Sequence, residues 1–460
     1  MRKKSLEKKN SMTKSTADSD ASKVMSRTTL GQLFSDGTAI ERLRGRALVI
    51  GQGGKEVTAP EFVHDGCRYA GAALDPGFEA ILPARSEPFG SLAGLMADAE
   101  QAVAQLLAVD DRTAFLFTNF AASSWVAEGL PAAPVMNFWG ANGADSRAVN
   151  VLASLCRRGL VLVQPSIADL LRLPPEFSPT LLVRPTSLRS LTPLLSTVTS
   201  NDTQILRAGT LLHLRHPVAV FSRERIAGLG LSVPLPPDVG WRPLSAQEKE
   251  ELSDQLQPRF LSFRLQRHLE VKASQFDVAE FAPESRLQAA ALGATLEGAP
   301  ELQRRLIDAL RCEDEDNRAN RSQSEPAVVL EAALALCHEG RQKVYVGQIT
   351  AFANTIFAAR GEPIVLSDRG TGSILREQLG LFAVRRAPGY ELPLDNTTAR
   401  HVHQLARCFG ALSLLSPLAG CKFCQELLQD VPSSDIDIHD VHDVHDVHDV
   451  HTPHGEGKKP

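Results

Sequence analysis

The chain lacks any apolar run of about 18 residues, so nothing in it reads as a membrane-crossing helix. Its first residues, MRKKSLEKKNSMTKSTADSDASK, hold lysine and serine without an apolar stretch, which argues against a secretory signal. An excess of positive charge is also missing. With 49 Lys and Arg against 54 Asp and Glu the formal net charge is −5, so contact with nucleic acid would have to come from local patches. Seven cysteines, an odd number scattered along the chain, do not make a disulfide framework, and a reducing cytoplasm fits them best. What is present is the composition of a globular protein, 43% hydrophobic and 22% charged over 460 residues, enough for roughly three domains.

The stretch that organises the chain is Val135–Ser166, VMNFWGANGADSRAVNVLASLCRRGLVLVQPS. It reads as a buried strand, a Gly-containing turn, an amphipathic helix and a second buried strand. That order is the setting of a G-x-x-x-x-G-K-[ST] loop, in which backbone N–H groups, a helix N-terminus and one lysine hold phosphates. The lysine is absent. Aligned from Gly140, the motif puts Asp145 in the place of the last glycine and Ser146 and Arg147 in those of the lysine and hydroxyl. Aligned from Trp139, it keeps Ser146 as the metal-binding hydroxyl but sets Asp145 where the lysine belongs, and a carboxylate facing a triphosphate repels it. Gly140, Gly143, Asp145, Ser146 and Arg147 are therefore read as the remains of a phosphate-binding loop. The later strand Ser178–Val183 ends in Arg184-Pro185, not in the carboxylate pair that holds Mg²⁺ in such proteins.

Taken in order, residues 1–26 read as a disordered basic arm and 27–134 as an N-terminal α+β and helical region. Within it Gly51-Gln-Gly53-Gly54 is a plain turn, two helices flank Asp110-Asp111, and the aromatics Phe115, Phe117, Phe120 and Trp125 are core. Residues 135–243 alternate strands and helices, which predicts an α/β fold with a mostly parallel sheet. Arg157-Arg158 fall at the end of the helix after the turn, where they complement its dipole. Residues 244–325 are helical, with a basic segment around Arg259, Arg264 and Arg267. Their acidic quartet Glu313-Asp-Glu-Asp316 reads as a solvated helix end.

Residues 326–424 run helix, strand, helix, helix, hairpin, an order that resembles a winged helix. In that resemblance Arg369, Thr371, Ser373 and Arg376 face outward toward a DNA groove, and Arg385 and Arg386 lie on the wing. A C-x-x-C pair, Cys421 and Cys424, has the geometry that lets two thiolates clasp one zinc, with His401, His403 and later histidines as partners to complete a site. Residues 425–460 carry a repeated His-Asp-Val triplet and read as disordered.

Together, the Trp125-containing helix, Asn137–Arg158, Ser178–Val183, the segment Leu256-Gln-Pro-Arg-Phe-Leu-Ser-Phe-Arg264 and the terminal unit resemble helicase-like P-loop ATPases encoded beside primases in bacterial plasmids, phages and integrated elements. The resemblance implies a RecA-like P-loop core with helical and winged-helix parts. It implies work with DNA and with replication or primase-helicase proteins, away from any membrane. Because both catalytic signatures are replaced, the leading expectation is a catalytically inactive scaffold or accessory DNA-binding subunit without a resident cofactor. ATP with Mg²⁺ at the turn and zinc at the cysteine pair stand as the open alternatives. Two rival functions are a motor that borrows Arg147, Arg157 or Arg158 for phosphate, and a winged-helix regulator with no nucleotide.

Overall fold

The computed structural model describes residues 25–79, 81–140, 145–173, 177–185, 195, 199, 204–207, 210–213, 215–226, 229–236, 242–387, 389–410 and 421–429. The chain divides into two units, Met1–Arg318 and Ala319–Pro460. Met25 and Ser26 open a strand instead of closing the expected arm; residues 1–24, the helix expected at 188–198 (apart from Leu195) and the His-Asp-Val tail lie outside the described residues.

The first unit begins with strands β1 (Met25–Thr29), β2 (Gly31–Leu33), β3 (Ala39–Arg42), β4 (Leu48–Gln52), β5 (Lys55–Ala59), β6 (Glu61–His64) and β7 (Cys67–Gly71). β2 to β5 form an antiparallel meander, while β7 pairs with β1 in parallel and with β6 antiparallel. Gly53 and Gly54, with φ of 56° and 76°, close β4 onto β5 as a two-residue hairpin, the geometry that needs positive φ at both central positions. Alternation then assigns faces. Ile40, Leu48 and Ile50 pack with Cys67 and Tyr69, whereas Ala39, Leu43 and Val49 join the main core. Glu41 shares the second set's register, so a carboxylate is carried inward.

Helices α1 (Leu92–Leu107) and α2 (Asp111–Trp125) start where Ser91 and Asp110 accept hydrogen bonds from the Gly94 and Thr113 amides. The α2 aromatics are core, as their spacing predicts: Phe117 lies 4.7 Å from the Phe138 ring, and Trp125 donates through Nε1 to Leu155 O at 2.9 Å. The central sheet follows, with β8 (Val135–Trp139), helix α3 (Asp145–Leu155), β9 (Gly159–Val163), β10 (Thr180–Arg184), the hairpin β11 (Gln204–Arg207) and β12 (Thr210–His213), β13 (Val218–Ser222) and β14 (Leu231–Pro234). Its order is β14-β8-β13-β10-β9, with every neighbouring pair parallel. One face, including Leu182, Ala219 and Phe221, packs into the main core; the other, including Leu181, Val183 and Val220, forms its own cluster. Five parallel strands with apolar contacts on both faces are the predicted α/β architecture and are consistent with a RecA-like core.

Helix α4 (Ala246–Ala273) is tied at its start by a reciprocal Ser245–Glu248 capping box. Nearly all of its segment Leu256–Leu265 is buried. A Cβ on Gly51 would stand 2.8 Å from Leu265 Cβ, so the glycine lets β4 approach the helix. Helices α5 (Pro283–Thr295) and α6 (Pro300–Ser322) follow.

The second unit contains α7 (Glu325–His338), β15 (Lys343–Tyr345), α8 (Val346–Ala359), α9 (Asp368–Ser373), β16 (Val384–Arg386), β17 (Gly389–Pro393), α10 (Asn396–Cys408) and α11 (Lys422–Gln429). The predicted element order is present, and the three strands pair antiparallel as β15-β17-β16. The expected third helix is shorter and changes hand-hold midway. After Ser373 the chain makes a π turn over Ile374–Gln378, with Leu379 N donating to Ile374 O. Asn354 clamps the approach to α9 by accepting from Leu366 N at 2.7 Å and donating to Leu366 O at 3.0 Å.

Candidate functional site

The turn after β8 is the first candidate. Residues 141–144, Gly143 among them, lie outside the described residues; Asp145 begins α3, with Ser146 and Arg147 in its first turn. Gly140 has a structural reason of its own. A Cβ there would stand 2.6 Å from Leu235 O, in the stretch where Leu235 N donates to Trp139 O at 2.7 Å, so the strand extension of β14 requires glycine. Ser146 O accepts a hydrogen bond from Asn150 Nδ2 at 2.6 Å. Because β8 lies between β13 and β14, its carboxyl end occupies the inner position where open parallel sheets seat ligands. Next to it, Ser222 Oγ at the end of β13 lies 2.8 Å from Asn137 Oδ1 and 2.7 Å from Glu224 O.

Arg157 and Arg158 do not serve this turn. They are 4% and 1% exposed, and they enter an ion cluster with buried Glu41 and Arg264 and with Glu128, whose side chain is 36% exposed at its edge. Arg157 reaches Glu41 at 3.0 Å and Glu128 at 2.8 Å. Arg264 reaches Glu41 at 3.2 Å and Glu128 at 2.7 Å, and donates to Trp125 O at 2.6 Å. Arg158 donates to Leu30 O at 2.6 Å and pairs with Glu41. Burial alone would raise the Glu41 and Glu128 carboxyls, but the guanidiniums outweigh it and hold both below the usual carboxylate range. Burial, with Arg157 beside it, pulls Arg158 down to about 9, which leaves it charged at neutral pH. The expectation that the pair sits at a helix end for the dipole, or swings to a phosphate, is thus corrected: its charge is consumed inside the unit. Sequence reading missed this cluster because its members are separated by up to 223 positions; the usable signal was Glu41 at an apolar register of β3.

The acidic quartet is also corrected. Glu313 and Asp314 are buried, not solvated. Glu313 accepts from Arg225 at 2.9 Å, and Asp314 accepts from Ala282 N at 2.8 Å and pairs with Arg318 at 2.7 Å. Burial pushes the Glu313 carboxyl up, and Arg225 opposes it. The basic segment of α4 is likewise committed: Arg259 pairs with Asp98 at 2.7 Å and Arg267 with Glu270 at 2.9 Å.

In the second unit, Arg369, Arg376, Arg385 and Arg386 are exposed, Ser373 is half-buried, and Arg376 pairs with Glu377 at 2.7 Å. Thr371 departs from the expectation. It is wholly buried, its hydroxyl 3.0 Å from that of Thr350, so it cannot face a groove. On the β16–β17 hairpin Arg385 stands directly opposite Tyr390, which is 55% exposed, and Phe382 just before the hairpin is 68% exposed.

A second cluster in this unit gathers His338 at the end of α7, His403 on α10, and Cys421 and Cys424 at the start of α11. Their four donor atoms lie within 4.8 Å of one another. His338 Nε2 is 3.0 Å from His403 Nε2, Cys421 Sγ is 3.2 Å from His403 Nε2, and Cys424 Sγ is 3.3 Å from His338 Nε2. Burial depresses both histidines, so each imidazole is neutral and can offer a lone pair. The cysteine pair was legible in the sequence; its partners were divided. His403 belongs to the cluster, but His401, two positions away on the same helix, points elsewhere and is exposed. His338 was missed, because a histidine ending an apolar helix 83 residues before Cys421 follows no ligand spacing. These four are the described residues placed to hold a metal ion.

No protein-family model matches this chain, and no curated protein matches it. Among solved structures, it is similar to the A form apo structure of the NrS-1 C terminal region, at 9% identity and a TM-score of 0.31, covering 75% of this chain and 94% of that one. A second structure of the same region matches at 10% identity and a TM-score of 0.31, over 78% of this chain and 96% of that one.

Proposed function

We propose that the protein is a DNA-binding accessory subunit in replication or maintenance of a mobile element, with a P-loop-like core kept for shape and not for turnover. The observation that carries DNA contact is the β16–β17 hairpin, where Arg385 faces Tyr390 across the ladder, Arg386 follows, and Phe382 stands exposed beside them. Guanidiniums neutralise phosphates and release counterions, while an exposed aromatic ring offers a face for sugar or an unstacked base. Arg369 on α9 adds a further exposed cation.

Two placements support a core without turnover. Neither the residues around the β8 turn nor the Arg184-Pro185 end of β10 supplies the lysine and carboxylate of phosphoryl transfer. The arginines that could have substituted, Arg157 and Arg158, are locked against Glu41. The replication setting rests on the resemblance stated above.

Fluorescence anisotropy on the full chain with labelled duplex and single-stranded DNA tests the reading. Wild type is expected to bind with a clear salt dependence. Replacing Arg385 and Arg386 by alanine is expected to weaken binding at least tenfold and to reduce the salt slope by about 2, one for each lost phosphate contact. Equal affinity and slope in the double variant would remove the hairpin from the DNA interface. Calorimetry with ATP and Mg²⁺ addresses the core: phosphate release that depends on Arg147 would overturn the inactive reading.

A further inference from the structure

We propose that the second unit holds one structural zinc ion, bound by His338 Nε2, His403 Nε2, Cys421 Sγ and Cys424 Sγ. The donor set is two imidazoles and two thiolates, the pairing that selects a tetrahedral zinc ion among first-row metals. A tetrahedron with ligand distances of about 2.0–2.3 Å has edges of about 3.3–3.8 Å. Three of the six separations, 3.0, 3.2 and 3.3 Å, lie at or just inside those edges and all six are within 4.8 Å, so a modest adjustment of side chains brings the four donors onto one tetrahedron.

The hydrogen-bond pattern points the same way. His403 Nδ1 lies 2.7 Å from Ala399 O, and a carbonyl only accepts, so the ring proton is on Nδ1. Nε2 must then present a lone pair to the cluster, which is the outer-shell device that orients metal-bound histidines. His403 and Cys424 are 1% and 2% exposed, so water does not compete freely for these donors. A single shared proton can satisfy one edge of the tetrahedron, whereas a central cation satisfies all four donors at once. Two thiolates also balance a divalent charge, so the buried centre stays neutral.

Four protein donors leave no open position, which makes the ion structural and not catalytic. Its effect is mechanical. Cys421 and Cys424, three residues apart, face the same way at the start of α11, and the ion would fasten that eight-residue helix to the end of α7 and to α10. The Phe423 ring, 5.3 Å from the His403 ring, covers one side.

The test is metal analysis and cobalt substitution of the full chain, purified without an affinity tag. Wild type is expected to retain about one zinc per chain after dialysis against EDTA. Exchange with Co²⁺ is expected to give the thiolate-to-metal charge-transfer band and the intense visible bands of a tetrahedral sulfur-containing site. The histidine-rich tail contains no cysteine, so it cannot produce the thiolate band. The Cys421→Ser, Cys424→Ser double variant is expected to lose at least 90% of the retained zinc and the band, while Cys312→Ser and Cys408→Ser keep both. If the double variant does not fold, titration of Co²⁺ into wild type stripped of zinc at acid pH and returned to neutral pH decides the matter. A wild type with neither retained zinc nor a thiolate band overturns the proposal, as does a band that survives in the folded double variant.

Discussion

The two units each bury a polar cluster drawn from distant parts of the sequence, and they settle it by opposite means. In the first, Glu41 and Glu128 meet three guanidiniums, so each charge finds a protein partner within hydrogen-bond distance. In the second, two imidazole nitrogens and two cysteine sulfurs converge on one point, and no protein cation is among them. The first cluster is complete as a network of ion pairs. The second becomes complete when a cation occupies its centre. Sign decides the difference: mixed charges can close a network among themselves, and a set of donors to one point cannot.

Breaking the first cluster gives the largest expected effect. Glu41→Gln leaves the guanidiniums of Arg157, Arg158 and Arg264 short of a counter-charge, at a cost of about 3–5 kcal/mol. All three tryptophans, Trp125, Trp139 and Trp241, lie in the first unit, so urea unfolding followed by tryptophan fluorescence reads that unit alone. Retained zinc should be unchanged in this variant. A loss below 1 kcal/mol would show that the carboxylate is not the keystone described here.

Acid sharpens the comparison. His216, 6% exposed with Nδ1 3.1 Å from Pro179 O, is depressed by burial to about 4. Its folded value lies below its unfolded one, so the stability it supports is present above about pH 6.5 and is lost as pH falls toward 4, by on the order of 2–3 kcal/mol. Glu41 and Glu128 are also depressed, and their share is present above about pH 4.5 and lost below it. The tryptophan-detected stability should therefore fall in two stages, and His216→Asn should reduce the earlier one, to which His268, also depressed by burial, contributes the rest. A single stage confined below pH 4.5 in wild type would reject this assignment.

The smallest effect separates burial from contact in the second unit. Thr371→Val removes a hydroxyl bonded to Thr350 and should destabilise the unit by about 1 kcal/mol while leaving DNA affinity within twofold. A tenfold loss of DNA affinity with normal stability would return Thr371 to the surface role the resemblance implied.

Much of the core was legible because it follows period and punctuation. Ser91 and Asp110 announced the starts of α1 and α2, Gly51-Gln-Gly53-Gly54 announced a turn, and the apolar runs of β8, β9, β10 and β13 announced a sheet buried on both faces. The site was less legible. Cys421 and Cys424 carried a local spacing, yet His338 and the choice of His403 over His401 did not, since helical phase and chain folding select among histidines. Arg157 and Arg158 misled for the same reason: two cations at a helix end read as solvated unless the facing strand is known.

The sequence by itself therefore settled the strands β8, β9, β10 and β13 and most of the helices, that the turn after β8 has no lysine, and that β10 ends without a carboxylate. Those are properties of neighbours in the chain, where spacing, capping and residue chemistry act over a few positions. The tertiary structure alone decided the strand order β14-β8-β13-β10-β9, the enclosure of Glu41 by arginines from two helical regions, and the meeting of His338 with Cys424 across 86 positions. Pairings of that length are set by which apolar faces bury together, and polar groups arrive as passengers of that packing.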